Sequence, residues 1–219
     1  MKARDAAPAA TRDFAGAPVR LVRVNGVELH YTDTGTVDLG GTTVILLHGG
    51  MGDLASWSSQ VAALSPQYRV VTYSRRHNHP NRNGEVRRAR FADGVGDDVD
   101  DLLALQSALH AAPAHLVGTS YGALLALAVA LRAPAKVASL ILAEPPLHRW
   151  ACATEGGKRL YGAFIDGAWR PAAEAFDLGQ QRLAMQLLTD GMWGQPKFES
   201  WPDDRIGGVM RNAGAMQAL

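Results

Sequence analysis

A serine stands at the centre of Gly118-Thr119-Ser120-Tyr121-Gly122, a G-x-S-x-G pentapeptide. The apolar pair Leu116-Val117 runs into it, and a run of small and apolar residues with helical character leaves it. Strand, serine, helix is the order that presents a serine for reaction. The chain must turn sharply there, with the serine in a strained conformation. Side chains two residues to either side would collide, so both flanks are glycine. The hydroxyl is then held clear of the sheet at a helix N-terminus. The plainer alternative is a serine that caps the helix after a glycine turn. A second constellation, His48-Gly49-Gly50-Met51-Gly52, follows an apolar run. Acyl transfer places negative charge on an oxygen in the transition state, and backbone N–H groups already in place stabilise it. Glycine lets the backbone come close to a substrate. The expected donors are the N–H of Tyr121, next after the serine, and that of Gly50, with Met51 as the fallback. His48 is expected to orient the loop.

These residues need a frame. Asn25-Gly26 is a strong short hairpin signal, and it predicts strands over 21–24 and 27–31. Continuous or near-continuous apolar runs predict buried strands over 42–47, 68–73, 115–118 and 137–143. Helical patterns fall between them at 53–64, 91–109 and 121–131. Strands alternating with helices imply right-handed βαβ units and a mostly parallel sheet, with the hairpin as an antiparallel edge. Beyond Leu147 the strand signals stop. Helices are expected over 158–165, 171–176, 180–188 and 206–219, rich in Trp, Met, Phe and Tyr. Trp150, Tyr161, Phe164, Trp169, Met185, Trp193 and Met210 are expected to include several residues that face Ser120 across an apolar pocket.

Four stretches together resemble an α/β-hydrolase of the haloperoxidase, esterase and epoxide-hydrolase kind. They are VNGVELHY (24–31), LLHGG (46–50), VGTSYG (117–122) and LILAEPP (140–146). The resemblance implies an α/β fold: a mostly parallel sheet with helices on both faces and a helical cap, lacking the family's last strands and helices. It divides the chain into a leader (1–18), a hydrolase core (19–146) and a cap (147–219). It implies hydrolysis of an ester or related acyl bond in a small apolar substrate, with Ser120 as nucleophile. Family members with an Asp at that position, the epoxide hydrolases and haloalkane dehalogenases, are disfavoured by the serine. One segment departs from the pattern: YSRRHNHPN (73–81) replaces the usual D-x-R-G-x-G-x-S loop. In the family an acid and then a histidine follow the serine in the chain. One histidine follows Ser120 here, His148, four residues past Glu144. Those two form a candidate acid–base pair, against the simpler expectation that the acid and the histidine belong beyond residue 219. The alternatives are a non-catalytic, hydrolase-like binding protein and the lyase or cofactor-free peroxidase chemistry that the same scaffold supports.

The bulk numbers exclude more than they assign. The net charge is +1 over 219 residues, which gives no electrostatic reason to expect nucleic acid or an anionic membrane as partner. No apolar run reaches membrane-spanning length. A single cysteine, Cys152, rules out an internal disulfide and fits a reducing, cytoplasmic setting. No metal-ligand spacing and no dinucleotide fingerprint occurs, so neither a metal nor an organic cofactor is expected. The partner expected is a small-molecule substrate, and the sequence leaves the oligomeric state open. The basic cluster Arg75, Arg76, Arg82, Arg87, Arg88 and Arg90 reads first as a solvated loop and second as a steering patch for an anionic substrate.

Overall fold

The computed structural model describes residues 13–14, 17–35, 43–83 and 94–219. Its centre is a six-stranded sheet. The strands are β3 (Arg20–Val24), β4 (Val27–Asp33), β5 (Thr43–Leu47), β6 (Val70–Tyr73), β7 (Ala114–Thr119) and β8 (Val137–Ala143), in the spatial order β3-β4-β6-β5-β7-β8. β3 and β4 pair antiparallel across a turn in which Asn25 and Gly26 both take positive φ, 48° and 78°. β4 is antiparallel to β6, and the remaining pairings are parallel. A short ribbon precedes the sheet, formed by β1 (Asp13–Phe14) and β2 (Ala17–Pro18). Of the leader expected over 1–18, residues 13–14 and 17–18 are described, with Ala17 buried, and the others lie outside the described residues.

The side-chain alternation of β5 explains the layers. Ile45 and Leu47 face one core, with Leu102 and Leu105 of α2 (Gly94–Ala108) and Leu125 and Val129 of α3 (Tyr121–Arg132). Val44 and Leu46 face the other, with Val61 of α1 (Ser58–Leu64). Both faces are covered, which is why the strand reads as an unbroken apolar run. From β5 the chain moves to β6 on one side, then crosses back to β7 on the other. Such a reversal opens a crevice at the C-terminal strand ends, where open α/β sheets bind ligands. β8 pairs only with β7 among the described strands. Its side chains are exposed or half-exposed, Ile141 to 61%.

Residues 148–219 form a helical layer: α4 (His148–Ala151), α5 (Glu155–Phe164), α6 (Arg170–Asp177), α7 (Gln181–Trp193), α8 (Asp203–Met210) and α9 (Ala213–Ala218). A π-turn, Ile165–Trp169, links α5 to α6. The layer has its own core, centred on Phe176, Met185, Leu188, Phe198 and Trp201, and Met51 packs into it. Two boundaries differ from expectation. α7 runs on to a left-handed Gly194 (φ 66°), the ordinary stop for a helix. The single helix expected over 206–219 is broken at Asn212, whose buried side chain bonds the backbone of His79 and the carboxylate of Asp53 instead of facing solvent.

The first turn of α3 lies hard against the end of β5. A Cβ at Gly122 would fall 2.2 Å from the carbonyl oxygen of Leu47 and 2.7 Å from that of His48. A Cβ at Gly118 would fall 2.4 Å from the carbonyl oxygen of Gly122. All these obstacles are backbone and cannot swing aside. Gly122→Ala is therefore expected to lose about 2–3 kcal/mol of stability or more in urea denaturation. Gly207→Ala, on an exposed turn of α8 with open space around it, is expected to gain about 0.5–1 kcal/mol. Equal effects at the two positions would overturn the packing argument.

Candidate active site

Ser120 joins β7 to α3 with φ 51° and ψ −122°, a conformation that L residues rarely adopt. Its N–H donates to the carbonyl of Ala143 at 2.8 Å, and its carbonyl accepts from Ala123 and Leu124. The hydroxyl makes no capping bond to the helix, so the capping alternative does not describe it. Such strain persists only where the surroundings hold it. Here the glycine contacts hold it. The loop after β5 runs directly in front: a Cβ at Gly49 would lie 3.4 Å from Ser120 Cβ and 3.9 Å from Ser120 Oγ. The two constellations singled out in the sequence are thus brought together. Tyr121 heads the first turn of α3, at the positive end of its dipole.

His48 is fully buried. Its Nε2 accepts the backbone N–H of Arg75 at 3.1 Å, so the ring proton sits on Nδ1 and donates to the carbonyl of Gly49 at 2.8 Å. Burial, with the neighbouring Arg75 cation, drives its pKa down to about 3, so the ring is neutral. In a planar trans peptide the C=O and the next N–H point opposite ways. The bond onto Gly49 O therefore sets the direction of the Gly50 N–H. Asn78 does the same for the following peptide: its Nδ2 donates to Gly50 O at 3.1 Å and to Gly52 O at 2.8 Å.

The segment that departs from the family pattern supplies these braces. Asn81 donates to the carbonyls of Ser74 and Arg75 and accepts from the N–H of His30. The expectation of a solvated basic loop fails for Arg75 and Arg76, whose charges turn inward onto α2. Arg76 binds Asp101 through two nitrogens at 2.8 and 2.9 Å and Asp97 at 2.9 Å. Arg75, only 5% exposed, binds Asp98 at 3.2 Å and lies 4.2 Å over the Tyr121 ring. The Tyr121 hydroxyl donates to the same Asp98 at 3.0 Å. The acidic stretch Asp97-Asp98-Val99-Asp100-Asp101 was the available signal for this, a helix face complementary to the arginines. Arg87, Arg88 and Arg90 lie outside the described residues.

Glu144 follows Ala143, whose carbonyl holds the Ser120 N–H, so its backbone adjoins the serine; its φ is 53°. Its side chain is exposed. His148, at the start of α4, stacks on Tyr161 with ring centres 4.7 Å apart, and burial lowers its pKa. Of the aromatic and Met residues expected around a pocket, Trp169 lines a cavity of about 250 Å³ together with Phe176, Leu188, Met216, Gln217 and Leu219. Trp150 is 75% exposed and Trp193 48%, so neither is buried in a pocket, and Met185 is spent inside the helical core. Met216 and Leu219, which the sequence did not single out, also abut Gly50, at 2.7 and 3.2 Å from where its Cβ would stand. No cluster of His, Cys, Asp and Glu suited to a metal ion occurs among the described residues. Nor is any described helix long and apolar enough to cross a membrane.

Residues 42–184 match the family described as alpha/beta hydrolase fold. The chain is 30% identical over 191 residues to the "Putative carbamate hydrolase RutD" of Agrobacterium fabrum (strain C58), covering 87% of this chain and 69% of that protein. It is 34% identical over 147 residues to the 3-oxoadipate enol-lactonase 1 of Acinetobacter baylyi, covering 67% of this chain and 47% of that one. The chain thus spans about half to two thirds of these relatives. A solved structure titled "Novel epoxide hydrolases belonging to the alpha/beta hydrolases superfamily in metagenomes from hot environments" superposes with a TM-score of 0.72 at 21% identity. It covers 92% of this chain and 68% of that chain, a likeness of fold.

The neutral His48 makes stability depend on pH. The unfolded chain binds a proton there below about pH 6.5, while the folded ring stays unprotonated down to about pH 3. In that window acid favours unfolding, by up to about 1.4 kcal/mol per pH unit. His48→Gln lacks this dependence. Its stability deficit relative to the parent, measured by urea unfolding at neutral pH, is expected to shrink as pH falls from 6.5 towards 4. A deficit constant over that range would show that His48 is not buried neutral.

Proposed function

Because the chain belongs to the α/β-hydrolase fold family, we propose that it is a serine hydrolase that cleaves an ester or related acyl bond of a small apolar substrate. Ser120 is the nucleophile in this reading. Its Oγ bonds to the carbonyl carbon as the hydroxyl proton passes to a base, and the carbonyl oxygen becomes an oxyanion. The N–H groups of Gly50 and Tyr121 face that charge and stabilise it in the transition state. The leaving group departs with a proton, and water then releases the acyl group from Ser120.

The observation that carries the reading is the strained serine itself. Its hydroxyl caps nothing, and it meets Gly49 of a loop whose peptide planes are pinned by His48 and Asn78. Fixed N–H directions are what an oxyanion needs, because a site already oriented does not reorganise during reaction. The C-terminal helices act as a cap: Met216 and Leu219 touch Gly50 and also line the cavity beside it. The side chains that line that cavity are apolar except for Gln217, and none of them is charged. A carbamate and an enol lactone, the compound classes in the relatives' names, both present a carbonyl carbon bound to a heteroatom leaving group. Each fits the same attack.

A fluorophosphonate is expected to modify Ser120, located by peptide mass spectrometry, and Ser120→Ala is expected to abolish the modification. In 4-nitrophenyl acetate hydrolysis the same substitution should lower kcat/KM by about 1,000-fold or more. Labelling that persists in the variant would remove Ser120 from the mechanism. Ligand binding without labelling or hydrolysis would favour the non-catalytic binding protein.

A further inference from the structure

Burial sets Arg75 apart from every other arginine described. It is nearly inaccessible, so it cannot meet a substrate, and it faces one carboxylate that it shares with the Tyr121 hydroxyl. Its Nε and Nη2 are buried without a hydrogen-bond partner. What Arg75 does have is a position between two elements. Its backbone N–H is held by His48 Nε2, and its guanidinium carbon lies 4.2 Å over the centre of the Tyr121 ring.

Those contacts lead separately to the two donors assigned above. On one side the Arg75 N–H leaves His48 its proton on Nδ1, that proton holds Gly49 O, and the Gly49–Gly50 peptide points its N–H the other way. On the other side the guanidinium and Asp98 fix the side chain of Tyr121, whose own N–H opens α3. We propose that the Arg75 side chain, with Asp98, positions Tyr121 and so its N–H donor at the Ser120 site, while the backbone N–H of the same residue braces the Gly50 donor through His48. The proposal rests on the reading of Ser120 as nucleophile.

Displacing a group by about an ångström from its place in a transition state is enough to slow a reaction about 100-fold. Arg75→Met fills the space with an uncharged chain, and Arg75→Lys keeps the charge without the flat face. In Arg75→Met, kcat for 4-nitrophenyl acetate is expected to fall about 10- to 100-fold. KM should stay within about threefold, because the oxyanion forms only after binding. Nitrogen-15 NMR of the His48 ring should keep its single Nδ1–H tautomer, because the backbone N–H at position 75 survives the substitution. Arg75→Lys should show the same fall in kcat to a smaller degree, and it carries the comparison if the Met variant does not melt cooperatively. An unchanged kcat in both variants, or a rise in KM alone, would overturn the proposal. Fluorophosphonate labelling of the parent protein separates this from the functional reading. If Ser120 does not label, that reading falls and this proposal with it; if Ser120 labels and kcat is unchanged in both variants, this proposal alone falls.

Discussion

There is room for nothing larger than hydrogen where α3 passes the end of β5. The carbonyls of Leu47 and His48 close on Gly122, and Gly122 in turn closes on Gly118. This approach presses the turn at Ser120 into its positive-φ form and sets the loop after β5 directly before the hydroxyl. A parallel sheet makes it available, because β5 and β7 are neighbours and end at the same level, Leu47 opposite Gly118. Two loops far apart in sequence then emerge side by side without any contact of their own having to draw them together.

Around this contact the protein buries an unusual amount of polar chemistry. Arg75, Asp98, Asp101, Asn78 and His48 are all largely removed from water. Asparagine serves here as a splint for backbone: each of Asn78, Asn81 and Asn83 donates to two carbonyls. A loop held by side chains needs neither helix nor strand, and its shape is as fixed as theirs while the network is complete. The same economy governs Asp53. It caps the 3-10 turn Leu54–Trp57 through one carboxylate oxygen and receives Asn212 through the other.

Much of the framework was legible in the sequence because it follows from periodicity and turn chemistry. The strand over 137–143 was placed to the residue, and the Asn25-Gly26 hairpin and the helix after Ser120 came within a residue or two. The G-x-S-x-G turn declared itself because a backbone collision leaves glycine as the sole solution. What stayed hidden depends on partners distant in the chain. Arg75 looks like any loop arginine until α2 is placed beneath it. Asn212 looks like a tolerable helix residue until Asp53 and His79 are set opposite. Trp150 and Met185 both look like pocket residues, and only packing reveals that one is at the surface and the other inside a separate core. Hydropathy ranks residues by their dislike of water; it does not say which of several apolar spaces each will enter.

Asn212 reaches back to Asp53 across 159 residues and to the backbone of His79 across 133. Contacts that close such large loops are the slow ones in folding, since the chain's freedom is surrendered before the bonds reward it. The sheet and its glycine turn close shorter loops, as where Leu47 meets Gly118, whereas the seating of α8 and α9 against the 48–53 loop closes longer ones. The molecule therefore has a built-in chronology. By that measure the turn at Ser120 is favoured to assemble before the helices that lie over it.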